Sequence, residues 1–226
     1  RAALHLLDME WGNIKAAFAW SEKMIGKDGT ATKMCSAYLE TGYDLFKYRL
    51  RPANRIKWLE IALKASRIVQ DTEAENSHLL NLGLENSSQG SFPQALDYLQ
   101  QALELAKKLN KKSDEGVVLR QMGIAHAATG NIPRALEFHQ QEMELARSRG
   151  DKTDEGKALM SLGHVYKISN DIPHALEFFQ RCLLIAQESG EKRIEGQALK
   201  DMADTRLATE NDLAPILDLY AKALSV

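Results

Sequence analysis

The chain is poor in most of the features that mark a secreted, membrane-spanning or disordered protein. It holds two cysteines, Cys35 and Cys182, in 226 residues. Two cannot build a disulfide framework, and these two have no metal-ligand spacing, so a reduced, cytoplasmic setting is expected. No apolar run approaches the ~20 residues needed to span a bilayer. Neither sign of charge dominates: 29 Lys and Arg against 31 Asp and Glu leave a net charge of −2. No global field therefore favours nucleic acid or an anionic membrane, and neither is expected as a partner. Aromatic residues make up only 7%, yet 44% of the chain is hydrophobic, enough to bury a core and to exclude disorder. The first residues, Arg1-Ala2-Ala3, show neither an initiator Met nor a signal-peptide pattern, and the chain reads as a segment of a longer protein.

Proline is scarce too, and the five present are placed regularly. They stand at 52, 93, 133, 173 and 215, with gaps of 41, 40, 40 and 42. Such spacing predicts an internal repeat. Laying residues 113–152 over 153–192 gives 15 identities in 40 positions without a gap. Asp114-Glu115-Gly116 falls on Asp154-Glu155-Gly156, Gly123 on Gly163, and Ile132-Pro133 on Ile172-Pro173. Ala135-Leu136-Glu137-Phe138 falls on Ala175-Leu176-Glu177-Phe178. A step of 40 backwards finds Leu79, Gly83, Pro93 and Ala95-Leu96-Asp97-Tyr98. A step forwards finds Glu195-Gly196, Leu199 and Ala203, then, after one inserted residue, Ile216 to Tyr220. A more divergent unit upstream contains Leu39, Tyr43, Trp58-Leu59 and Ala62-Leu63.

Each unit reads as two helices. Leu159, Leu162, Gly163, Tyr166 and Ile168 recur near the 3.6-residue period, as do Ile172, Ala175, Leu176, Phe179, Leu183 and Ala186. Ser113 and Thr153 are the expected N-caps, each followed by Asp-Glu where the helix dipole favours negative charge. Gly90, Gly130 and Asn170 should end the first helix of a unit in the left-handed region. Pro93, Pro133 and Pro173 should open the second, and Asn110, Gly150 and Gly190 should end it. Small residues at 83, 123, 163 and 203, with Ala95, Ala135 and Ala175 opposite, let the two helices approach closely. Tyr43, Arg55 and Ile216 break that rule in the outer units, as terminal caps would. Residues 1–30 should form an N-terminal helical cap, followed by units at about 31–70, 73–110, 113–150, 153–190 and 193–226.

The helical pair, with Leu-Gly-x-x-Tyr at 162–166 and Ala175 and Phe179 downstream, resembles the tetratricopeptide repeat (TPR). The 40-residue period and the linker at 150–156 resemble kinesin light chains, Pins-type adaptors and the TPR arms of bacterial signal-transduction ATPases. The resemblance implies an all-α, right-handed TPR superhelix of about five helix pairs plus the N-terminal cap. Residues 6–20, Leu6-Leu7-Asp8-Met9-Glu10-Trp11-Gly12-Asn13 through Trp20, resemble the segment that joins a nucleotide-binding module to the TPR arm in STAND-type ATPases and regulators. They serve equally well as an amphipathic capping helix whose Leu, Ile, Phe and Trp pack on the first repeat.

Catalytic chemistry is not expected. Gly150 to Gly156-Lys157 has five intervening residues where a P-loop has four, and Ala158 stands where Ser or Thr should bind Mg²⁺. The six histidines show no zinc spacing, so no cofactor, metal or catalytic residue is expected. His126 and His139 replace Tyr166 and Phe179 of the next unit and should be core substitutes. His139 and Glu142, one turn apart, read as an ordinary exposed helix pair.

The resemblance implies a concave face lined by the first helices. Counting from the small residue places Asn81, Leu84 and Ser88 on it, then Arg120, Ile124 and Ala127, then Lys157, Met160, His164 and Lys167, and finally Lys200, Asp204 and Leu207. Arg120, Lys157, Lys167 and Lys200 form a basic stripe among apolar residues, which suits an acidic or carboxylate-bearing protein or extended peptide. First helices about 10 Å apart would give a groove for roughly 12–15 extended residues. Pins-type adaptors place Asn directly after the small Gly. Here Leu84, Ile124, His164 and Asp204 stand there, and the Lys and Asn of chaperone-binding carboxylate clamps are also unmatched, so neither partner class carries over. The expected function is protein interaction, as the sensor or effector-binding arm of a STAND-type regulator. The alternatives are a stand-alone adaptor and a small-molecule inducer domain.

Overall fold

The computed structural model describes residues 2–209 and 212–226, with side chains from residue 8 onward apart from Thr41. The expected packing of Leu6 and Leu7 therefore lies outside the described residues. The described chain is all helix: α1 (Ala2–Met24), α2 (Gly29–Phe46), α3 (Pro52–Val69), α4 (Thr72–Ser88), α5 (Phe92–Lys108), α6 (Lys112–Ala128), α7 (Ile132–Ser148), α8 (Lys152–Ile168), α9 (Ile172–Ser189), α10 (Lys192–Leu207) and α11 (Leu213–Ser225). It divides into two compact units, Arg1–Lys111 and Lys112–Val226. In each, successive helices pack as pairs, and α2 also meets α4, α6 meets α8 and α8 meets α10. Within each unit the first helices of neighbouring repeats thus lie side by side.

Local signals explain the boundaries. Prolines occupy the first turns of α3, α5, α7 and α9, where a missing N–H leaves no bond unmade. The left-handed residues recur in step: Gly90, Gly130 and Asn170 after first helices, and Gln70, Asn110, Gly150 and Gly190 after second ones. The N-caps differ from expectation. α6 already begins at Lys112, so Ser113 lies within it. Asp151 caps α8 by accepting from the Asp154 backbone N–H at 2.9 Å. A carboxylate two residues earlier satisfies the first-turn donor and leaves Thr153 inside the turn, where its hydroxyl donates to Glu191 at 2.8 Å.

The small residues admit a large neighbour rather than only an alanine. A Cβ on Gly163 would fall 2.5 Å from Phe179, and one on Gly83 2.6 Å from Leu99. Phe179 and Leu99 are buried there without exposed area. Gly163→Leu should therefore overpack the pair by roughly 1–3 kcal/mol.

In the first unit, α1 packs through aromatic rings. Phe18 stacks on Trp58 at 4.0 Å, and Trp11 lies 6.1 Å from the same ring. Trp20, expected in this contact, is instead exposed, because it falls on the opposite side of α1 from Phe18. Tyr43 and Arg55, read as cap departures, form a buried cluster around Glu85. The Tyr43 hydroxyl donates to Glu85 at 2.5 Å, and Arg55 donates to both carboxylate oxygens at 2.7 Å. Arg55 also donates to the Leu50 carbonyl at 2.9 Å. In the second unit, Leu224 of α11 is 90% exposed, whereas Leu63, Leu103, Met143 and Leu183 at the same repeat position are 5–7% exposed. Each of those four is followed by another repeat's first helix.

Candidate functional site

In the first unit Asn81 and Leu84 stand half-buried on α4. The other expected site residues lie on α6, α8 and α10 of the second unit, and repeat register shows where that unit is unusual. Leu80, Leu99 and Ala102 of one repeat correspond to Met160, Phe179 and Cys182 two repeats on. Between them stand Arg120, His139 and Glu142, three polar residues at positions that are apolar in both neighbours.

These three are in contact. Arg120 Nε donates to Glu142 Oε1 at 2.5 Å, and its Nη2 donates to Asp154 Oδ1 at 3.2 Å. His139 Nδ1 lies 3.2 Å from Glu142 Oε2. His139 is wholly buried and Glu142 is 1% exposed, which corrects the expectation of an exposed helix pair. The ring of His139 fills the space over Gly123 that Phe179 fills over Gly163. That space exists only because the facing residue is glycine, so α7 carries Glu142 inward with His139. His126, the other expected core substitute, is half-buried and stacks on Phe138 at 5.3 Å, and burial lowers its pKa.

The expected basic stripe is largely compensated. Lys157 Nζ is 2.9 Å from Asp154, Lys200 Nζ is 2.8 Å from Asp204, and His164 Nε2 is 2.9 Å from Asp201. Burial pushes the Asp154 carboxyl up, but Lys157 and Arg120 more than offset this and hold it below the usual carboxylate range. Lys200 and Tyr220 likewise hold Asp204 low through hydrogen bonds. Among the described residues Lys167 alone of the stripe forms no ion pair. Met160 packs partly against the core. Glu142 and Asp154, which neutralise Arg120 and Lys157, and Asp201, which meets His164, were not expected as partners of these residues. The register break at Glu142 was the available signal for one of them. Cys182, opposite Glu142 in register, is a buried thiol whose pKa burial pushes up to about 12, and its Sγ donates to the Gly156 carbonyl.

An open pocket of about 380 Å³ lies between α6 and α8, lined by Ile124, Ala127, Ala128, His139, Ser161, His164, Val165 and Ile168. It brings together three residues expected on the concave face, Ile124, Ala127 and His164, and adds Ile168. Ile124 is 42% and Ile168 62% exposed, so apolar surface rims it. Among the described residues no cluster of His, Cys, Asp or Glu could hold a metal ion, and no helix is long and apolar enough to cross a membrane.

The family model for the tetratricopeptide repeat matches residues 73–148 and 114–188, together just over half of the chain. No curated protein sequence matches it. Among solved structures, BtubC (BKLC) from P. vanneervenii aligns with a TM-score of 0.72 at 13% identity, over 97% of this chain and 88% of that one. A STAND protein with a tetratricopeptide repeat sensor, PH0952 from Pyrococcus horikoshii, aligns at 0.68 and 17% identity, over 97% of this chain and 33% of that one. A Rap protein complexed with Competence and Sporulation Factor aligns at 0.69 and 15% identity, over 83% of this chain and 52% of that one. The chain thus spans a third of the STAND protein and about half of the Rap protein. At these identities the likeness is one of fold.

Proposed function

The chain belongs to the tetratricopeptide-repeat family, and from that premise we propose that it is a protein-interaction module whose partner lies along the first helices of its repeats. The observation that carries this reading is the pocket between α6 and α8, with Ile124 and Ile168 presenting apolar side chains at its rim. Exposed apolar side chains around a concave site, with charged groups beyond them, are the usual composition of a peptide-scale interface. Arg120, Lys157 and Lys200 hold their carboxylates in place, so they act as a rigid polar frame. Lys167 forms no direct ion pair, although its charge also helps to hold the Asp204 carboxyl low, and it is the cation that an acidic residue of the partner would meet.

The finer reading is that this module is the sensor arm of a STAND-type ATPase. Partner binding would then bias the ATPase between two states, which requires a different affinity for each. The segment at 6–20 and the fold shared with the repeat sensor of PH0952 support it. Ile124→Glu and Ile168→Glu should abolish co-purification of the partner, while Trp20→Ala on α1 should leave it intact. Equal retention by all three variants would refute the groove reading. The sensor reading is tested on the longer gene product: it needs a P-loop module in the same polypeptide, and partner-dependent ATP hydrolysis.

A further inference from the structure

Arg120, His139 and Glu142 replace apolar residues of both neighbouring repeats, and burying polar groups is costly unless each finds a partner. Glu142 has two, Arg120 and His139. His139 does not complete its set: Nδ1 faces Glu142, while Nε2 is buried with no hydrogen-bond partner. Glu142 is paired with Arg120 and, as a carboxylate, can only accept. In the neutral imidazole the proton therefore sits on Nδ1, and Nε2 is an acceptor awaiting a donor. An unpartnered atom alone would not single this residue out, since buried His78 has one at Nδ1. What distinguishes His139 is that it lines the apolar pocket between α6 and α8.

We propose that this pocket is the anchor socket for one aromatic side chain ended by a hydrogen-bond donor, a tyrosine or tryptophan of the bound partner, whose O–H or N–H is given to Nε2 of His139. The inference rests on the groove reading above and specifies its central contact. The walls suit it: Ile124, Ala127, Val165 and Ile168 offer apolar surface to a ring, and its volume of about 380 Å³ has room for one such side chain. Phenol and indole groups combine a large apolar body with a single donor, which is the complement of a largely apolar wall that includes His139, the bearer of one buried unmet acceptor. Glu142, held by Arg120, acts as the positioning residue that fixes the tautomer. A site built to receive a donor rejects the isostere that lacks it, because its own polar atom then stays unpaired.

The test uses the whole chain with p-cresol and toluene as probes, read by chemical shifts of the His139 ring nitrogens and of the Ile124 and Ile168 methyl groups. p-Cresol should shift the Nε2 resonance and bind about fivefold more tightly than toluene, the worth of one net hydrogen bond. His139→Phe, which imports the residue of the next repeat at this position, should bind the two probes equally. Should that variant fail to fold, Ala128→Phe at an exposed position fills the pocket and should abolish both shifts. Equal affinity of the wild-type chain for the two probes, or no shift with either, overturns the proposal. Partner loss from Ile124→Glu is scored separately. A groove that retains its partner after Ala128→Phe therefore loses the socket and keeps the interaction reading.

Discussion

Two buried polar clusters, one in each unit, are completed differently. In the first unit Glu85 receives the Tyr43 hydroxyl and two Arg55 donors, and the remaining Arg55 contact ends on the Leu50 carbonyl. Burial pushes the Glu85 carboxyl up, yet Arg55 and Tyr43 together hold it below its ordinary range, while burial and Glu85 push the Tyr43 hydroxyl far above its own. In the second unit Arg120 and Glu142 are equally close, but His139, which helps to line a pocket, keeps one buried ring nitrogen unpaired. A closed cluster uses its polar atoms to fix packing. An open one carries a cost that a ligand can remove.

The largest effect should come from opening the closed cluster. Glu85→Ala leaves the Tyr43 hydroxyl without its acceptor and the Arg55 charge with only the Leu50 carbonyl, and should cost about 3–5 kcal/mol in urea unfolding. Glu85→Gln retains acceptor geometry and should cost less. A loss below about 1 kcal/mol for the alanine variant would erase the distinction between the clusters.

Acid should weaken the first unit through a different group. His78 is buried against Ser36, 3.1 Å from its hydroxyl, and burial lowers its pKa to about 4, against an opposing pull from Asp71. The unfolded chain binds the proton near pH 6.5 and the folded chain only near 4. The contribution is therefore complete above about 6.5 and is lost as pH falls through that window, by about 3 kcal/mol. His78→Leu should flatten the pH dependence of stability between 6.5 and 4.

The open cluster should behave in the opposite way when it is closed. Changing Arg120→Met, His139→Phe and Glu142→Cys together imports the apolar set of the following repeat. The triple variant should unfold at an unchanged or higher temperature, a gain of up to about 2 kcal/mol. Glu142→Ala alone should destabilise, because Arg120 and His139 would lose their shared acceptor. A triple variant that is less stable than the wild type would show that the polar set supports the fold.

Register made most of this legible. The prolines, the left-handed residues and the small positions repeat every 40 residues because each unit meets the same backbone problem at the same place. The same frame shows that His139 sits where Phe179 sits. What it did not convey was the fate of the charges. Arg120, Lys157 and Lys200 line up as a basic stripe in sequence, while their carboxylates come from the other helix of the pair, from the next pair or from the helix's own turn. Cross-repeat contacts such as Arg120 with Asp154 have no local signature. The N-caps depart from expectation for a related reason: Asp151 and Thr153 both carry an oxygen that could accept from a first-turn N–H, and only the backbone path selects between them.

The smallest expected effect isolates burial from spacing. On α7, Arg134 and Glu137 form an ion pair three residues apart at 2.8 Å, and His139 and Glu142 lie three residues apart at 3.2 Å. In sequence the two pairs look alike. The first is about half exposed on both sides, so water already solvates each charge, and holding two long side chains together costs the entropy that the attraction returns. Arg134→Ala should therefore change stability by less than about 0.5 kcal/mol in the same urea assay, and salt should not alter that result. In the second pair both side chains are buried, so Glu142→Ala should cost more, and an equal result would mean that Glu142 is solvated.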